Sequence, residues 1–88
     1  MKIEKNVILR EIAGEYILIP TGSMALKFQG VFAVSELGVA IWNLLQEDKD
    51  ENEIVETLLQ EYDVDRETLT ADIKEFLQSL REKELLFD

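Results

Sequence analysis

Residues 26–45, Leu26-Lys27-Phe28-Gln29-Gly30-Val31-Phe32-Ala33-Val34-Ser35-Glu36-Leu37-Gly38-Val39-Ala40-Ile41-Trp42-Asn43-Leu44-Leu45, change their hydrophobic period once, at Ser35. Before Ser35, the apolar Leu26, Phe28, Phe32 and Val34 alternate with Lys27, Gln29, Val31 and Ala33, which predicts a strand over 26–34 with Gly30 as a bulge or close-approach point. After it, Leu37, Ile41, Leu44 and Leu45 recur at i, i+4, i+7 and i+8, so a helix over 35–46 is expected, with Ser35 as its N-cap. Val39, Ala40 and Trp42 widen the apolar stripe almost to the full circumference, the pattern of a central helix touched on most sides. Gly38 costs such a helix about 1 kcal/mol relative to Ala, which predicts close packing against a neighbour.

Upstream, the β-branched run from Val7 to Ala13 and the return from Tyr16 to Ile19 predict strands over 6–13 and 16–20. Gly14-Glu15 offers the Gly-X pair of a type II′ turn, and Pro20-Thr21-Gly22-Ser23 ends the second strand. Downstream, Asp50 and Glu53 have the spacing of a capping box and open a helix over 51–62 with Ile54, Val55, Leu58, Leu59 and Tyr62 on its apolar face. Asp65 caps a third helix over 65–83, striped by Leu69, Ile73, Phe76, Leu77 and Leu80, with Arg81 and Lys83 near its end. Leu85, Leu86 and Phe87 read as a short apolar tail. The order predicts an α+β, winged-helix-like fold, a three-stranded antiparallel sheet followed by three helices, in a single domain spanning 1–88.

The chain has 88 residues, 47% hydrophobic and 32% charged, enough to bury one core and too short for two. It contains no Cys and no His, which removes disulfides, thiolate nucleophiles and every imidazole-based acid, base or metal ligand. Neither catalysis, a metal nor another cofactor is expected. Asp48, Asp50, Glu51 and Glu53 form a metal-like cluster, but their spacing does not match a calcium loop and capping accounts for them better. The start, Met1-Lys2-Ile3-Glu4-Lys5, lacks the apolar run of a signal peptide, and no stretch approaches a membrane span, so a soluble cytoplasmic protein is expected.

The net charge of −10 is unevenly placed. Residues 1–46 are neutral, with Lys2, Lys5, Arg10 and Lys27 balancing Glu4, Glu11, Glu15 and Glu36. The excess therefore lies in 47–88, a field that repels phosphate and attracts basic peptide or protein surfaces. Winged-helix architecture often serves DNA binding or transcriptional regulation, the alternative reading here. The third helix opposes it, because Arg66, Lys74, Arg81 and Lys83 stand among Glu67, Asp72, Glu75, Glu82 and Glu84. A three-stranded meander also has edge strands, and the third carries only Lys27 as a charged protector, so it is the candidate for pairing with an extended peptide. The same edge allows a weak homodimer beside the monomer.

The stretch from Phe32 to Leu45 resembles the signature of the PqqD family, the coenzyme PQQ synthesis protein D group, most specifically in Gly38 and the Ile41-Trp42 pair. The run from Ile54 to Asp65, then Asp72 to Leu77 and Leu85-Leu86, is similar to the family's second and third helices, so the resemblance covers about residues 7–87. Ser35 stands where Asn is usual, Val39 where Ala is usual, and Glu84 where the family often ends its third helix with Gly, which bears on the path after Lys83.

The resemblance implies a recognition element for the precursors of ribosomally synthesised, post-translationally modified peptides. Such a domain is a non-catalytic chaperone that binds the leader of the precursor by strand addition and presents it to a modifying enzyme, commonly a radical SAM enzyme. Lasso-pathway versions often show a Tyr-Trp-x-Leu-Asn pattern before the first helix, and its absence here favours the radical SAM partner. Carried over to this sequence, the leader site comprises Lys27, Phe28, Gln29, Gly30, Val31, Phe32 and Ala33 on the third strand, with Asp72, Ile73, Phe76 and Leu80 on the third helix. A pocket near Phe28, Val31, Ile73 and Phe76 would select apolar leader side chains, and the acidic C-terminal half would favour Lys or Arg beside them.

Overall fold

The computed structural model describes residues 1–27 and 30–87. In chain order the elements are β1 (Lys2–Ile3), β2 (Val7–Ile12), β3 (Glu15–Pro20), α1 (Gly22–Lys27), β4 (Phe32–Val34), α2 (Glu36–Gln46), α3 (Glu51–Glu61), α4 (Arg66–Glu82) and β5 (Leu86–Phe87). The protein is α+β, with a three-stranded antiparallel sheet ordered β2-β3-β4 and helices packed on one of its faces.

The three longer helices begin where their caps stand. Ser35 Oγ accepts from the Gly38 N–H at 3.1 Å. Asp50 and Glu53 form the full reciprocal capping box, at 2.8 and 3.1 Å, and both Asp65 carboxylate oxygens accept from the Thr68 N–H. Each cap satisfies amides that the first helical turn leaves without partners. Their inward faces meet in one core: Ile41, Trp42 and Leu45 from α2, Ile54, Val55 and Leu58 from α3, and Leu69, Ile73, Leu77 and Leu80 from α4. Leu18 of β3 and Val7 of β2 close it from the sheet side.

The β2–β3 hairpin differs from expectation at its turn. Ile12 pairs with Glu15, so the two-residue loop is Ala13-Gly14, and both have positive φ, 54° and 83°. That is the signature of a type I′ turn, whose twist matches the flanking strands, and Ala13 accepts a left-handed conformation to provide it.

The third strand is much shorter than the alternation predicts. Residues 22–27 of the chain form α1 instead, and the ladder holds only Phe32, Ala33 and Val34, opposite Leu18, Ile17 and Tyr16. Two causes are visible. The Thr21 carbonyl accepts from the N–H groups of Met24 and Ala25, starting a helical turn in a segment rich in good helix formers. Met24 then buries itself in the core while Leu26, which the strand reading placed on an apolar face, is 90% exposed. Phe28 and Gln29 of that expected strand lie outside the described residues.

The apolar tail is a strand as well. Leu86 pairs with Ile3 and Phe87 with Lys2, joining the two ends of the chain in a small second sheet, with Leu85 and Leu86 buried beneath it. The turn into this strand is a Schellman motif: Glu84 donates to the Arg81 carbonyl, Leu85 to the Leu80 carbonyl, and Glu84 has φ 59°. Glu84 thus adopts the conformation of the Gly that is common at this place. Among the described residues, no helix is long and apolar enough to cross a membrane.

Candidate functional site

Among the described residues, β4 is the last strand of its sheet, next to β3. Because Phe32 lies opposite the buried Leu18, Phe32 and Val34 face inward and Ala33 outward. Inward of this edge, the first turns of α2 and the middle of α4 diverge to leave an open cleft of about 360 Å³, lined by Ser35, Leu37, Gly38, Ile41, Asp72, Glu75, Phe76 and Ser79. A smaller, strongly apolar hollow of about 100 Å³ continues from it through the shared Leu37 and Asp72 to Tyr62, Val64, Thr68 and Leu69. Together they form a groove running along α4.

Gly38 sets the width of the groove. A Cβ on Gly38 would lie 3.0 Å from Phe76 Cε1 and 3.3 Å from the Val34 Cβ, so the bare backbone lets α2, α4 and β4 converge. The Ser35 cap fixes where that backbone starts. At the β4 end of the groove, the Lys83 ammonium stands 5.5 Å from the centre of the Phe32 ring and donates to Ser79 Oγ at 2.9 Å. Toward the other end, the exposed Asp72 and Glu75 carboxylates form its α4 wall.

The residues singled out from the sequence separate into several groups. Asp72 and Phe76 line the groove, and Phe32 is linked to its end through Lys83, whose ammonium donates to the lining Ser79. Val31 is exposed immediately before β4, Ala33 points to the opposite face, and Gly30 is an exposed bend with φ 96°. Lys27 ends α1 and pairs with Glu84 at 2.7 Å. Phe28 and Gln29 lie outside the described residues. Ile73 and Leu80, 0% and 2% exposed, are core residues on the inward stripe of α4 with no surface to offer a ligand. The groove instead takes the adjacent stripe, Asp72, Glu75, Phe76 and Ser79, at helical spacings of three and four.

Ser35, Leu37, Gly38, Glu75 and Ser79 were not among the expected site residues, and the fully buried Ile41 forms the floor of the cleft. A signal was present for Leu37 alone: the apolar stripe of α2 is wider than one core face requires, and Leu37 stays only half-buried.

The resolved shifts in acidity lie elsewhere. The Glu56 carboxyl is held below the usual glutamate range by its hydrogen bond from Arg66 and then by the guanidinium charge, and Arg66 is raised by the same pair. This exposed pair ties α4 to α3, with Arg66 Nη1 2.6 Å from Glu56 Oε1.

The family model for coenzyme PQQ synthesis protein D (PqqD) matches residues 7–86. The chain belongs to the PqqD family. Its fold is also that of a solved structure, TbiB1 in complex with the TbiA(beta) leader peptide, at a TM-score of 0.78 and 38% sequence identity. The match covers 98% of this chain and 94% of that chain. No curated protein matches it. In this PqqD-family chain the signature residues have structural work: Trp42 is 3% exposed in the core, Ile41 is fully buried, and Gly38 is the contact point of three elements.

Proposed function

We propose that this protein binds the leader segment of a precursor peptide, has no catalytic activity of its own, and presents the bound peptide to a separate modifying enzyme. The observation that carries this reading is the position of β4 at the margin of its sheet and beside the Phe76 cleft, with Val34 against the Gly38 wall. An added strand there would gain main-chain hydrogen bonds from the edge while its alternate side chains enter the groove, the division between affinity and selectivity that strand addition provides. The similarity to TbiB1, which is solved with a leader peptide, supports the same reading.

The charge distribution weighs against the DNA alternative. Lys74 and Arg66, two of the four bases from Arg66 to Lys83, are drawn to Glu51 and Glu56 of α3, so α4 presents no basic stripe to a duplex. The radical SAM class of the partner enzyme rests on the resemblance; co-purification of the protein with a radical SAM enzyme from its own host tests that part separately. The β4 edge also offers itself to a second copy, but three ladder residues make that pairing weak, so a monomer or weak homodimer is expected.

An NMR titration with the TbiA(beta) leader peptide tests the reading. The expected result is shifts over Phe32–Val34 together with Asp72, Glu75, Phe76 and Ser79. Peptide binding that leaves both segments unperturbed would overturn the site.

A further inference from the structure

The face of the sheet turned away from the helices is rich in isoleucine. Ile8, Ile12, Ile17 and Ile19 all stand outside the core, and their parity is opposite to that of the buried Val7 and Leu18. The register arranges this face in rows: Arg10, Ile17 and Ala33 lie side by side across β2, β3 and β4, and Ile8 stands beside Ile19. The exposed Val31, one residue before β4, continues the second row.

The two margins of this face carry complementary charge. On β2, Arg10 is exposed and makes no ion pair with any described residue. At the β4 margin a hollow of about 280 Å³ opens beside Ala33, with Glu15, Tyr16 and Glu36 in its lining. Neither of its two carboxylates has an ion-pair partner among the described residues. A cation at one margin and an acidic hollow at the other fit a surface that carries the same pair in reverse order. A two-fold rotation of this chain about an axis along β3 supplies that surface. It sets Ile17 against Ile17, Ile8 over Val31 of the other copy, and Arg10 over the other copy's Ala33, whose small side chain leaves the hollow open to the guanidinium.

We propose that two copies of this protein associate weakly, back to back, through the outer faces of their sheets, with Arg10 of each copy in the Glu15–Glu36 hollow of the other. Residues 1–46 are neutral, so the excess of negative charge, carried by residues 47–88, adds little repulsion at the contact. Three strands of about six residues span roughly 14 by 20 Å, on the order of 300 Å² per copy, against about 800 Å² per partner in a stable interface. The dimer is therefore weak, and the α4 groove of each copy faces away from it.

Sedimentation equilibrium from about 10 µM to 1 mM protein should show a monomer–dimer equilibrium with a Kd of about 0.1–1 mM. Ile17→Lys, which sets two cations on the axis, and Arg10→Glu should each weaken it at least about tenfold. Both positions lie outside the core, and a thermal melt confirms that the variants fold. Because the chain has no Cys, Ile17→Cys places one thiol per copy on the axis. A short bis-maleimide should link two such copies and leave copies of Asp63→Cys, at an exposed site on the helical side, unlinked. A parent that stays monomeric over the whole range overturns the proposal. A dimer that persists in both charge variants, or equal linking of the two Cys variants, does the same. If signals of Ile8, Ile12 and Ile17 shift only when a modifying enzyme is added, the face belongs to that enzyme and the proposal fails. Leader binding is read on the opposite face and stands or falls separately.

Discussion

The Phe76 ring rests against the backbone of Gly38, at a distance that leaves no room for a methyl group: a Cβ there would stand 3.0 Å from Cε1. Phe76 is half-buried, and the far side of its ring borders the open cleft, so the ring has somewhere to move. Gly38→Ala should therefore push Phe76 into the groove. The gain in helix propensity, about 1 kcal/mol, and the cost of overpacking, about 1–3 kcal/mol, partly offset each other. The expected outcome is a melt lowered by no more than about 1–2 kcal/mol with peptide affinity reduced severalfold, measured by calorimetry on one preparation. Affinity equal to the parent would show that the ring does not need that position.

Trp42 fills the core, not the groove. At 3% exposure it packs among Ile41, Leu45 and their partners, and Trp42→Ala should cost about 3–5 kcal/mol. Chemical denaturation checks this. A variant with parental stability and lost peptide binding would reassign Trp42 to the ligand.

Glu84 carries strain that a Gly would relieve. Its φ of 59° closes the Schellman turn between α4 and β5, a conformation that costs a side-chain-bearing residue about 1–2 kcal/mol. Glu84→Gly also removes the exposed Lys27–Glu84 pair, worth about 0–1 kcal/mol. The balance predicts a gain of about 0.5–1 kcal/mol, read as a higher melting temperature. Asp48 sits in the same conformation at the end of α2, and because Asp tolerates it better, Asp48→Gly should gain less.

Glu56 should titrate below the ordinary glutamate range. Because its folded pKa is depressed, its stabilising contribution is present above the unfolded value and is lost as pH falls through the folded one. Carboxyl-detected NMR should show the lowered midpoint, and Arg66→Ala should return it to the ordinary range. The pair is exposed, so global stability should scarcely change.

The sequence by itself determined the elements whose causes are local. Ser35, Asp50 and Asp65 cap the three longer helices where their spacing places them, and the β2–β3 hairpin follows from two β-branched runs around Gly14. The family signature in Gly38, Ile41 and Trp42 is equally local, and with it came the expectation of a leader-binding edge. Tertiary structure decided the rest. The β1–β5 pair joins residues more than eighty apart through strands of two residues each, too short for any period to register. Residues 22–27 suit either a helix or part of an alternating strand, and burial of Met24 settles them as α1. On α4, Ile73 and Phe76 belong to one apolar stripe in the sequence, yet the packing of α2 and α3 covers Ile73 and leaves Phe76 at the groove. Periodicity names the residues of an apolar face; only the neighbours packed on it determine which of them remain uncovered for a ligand.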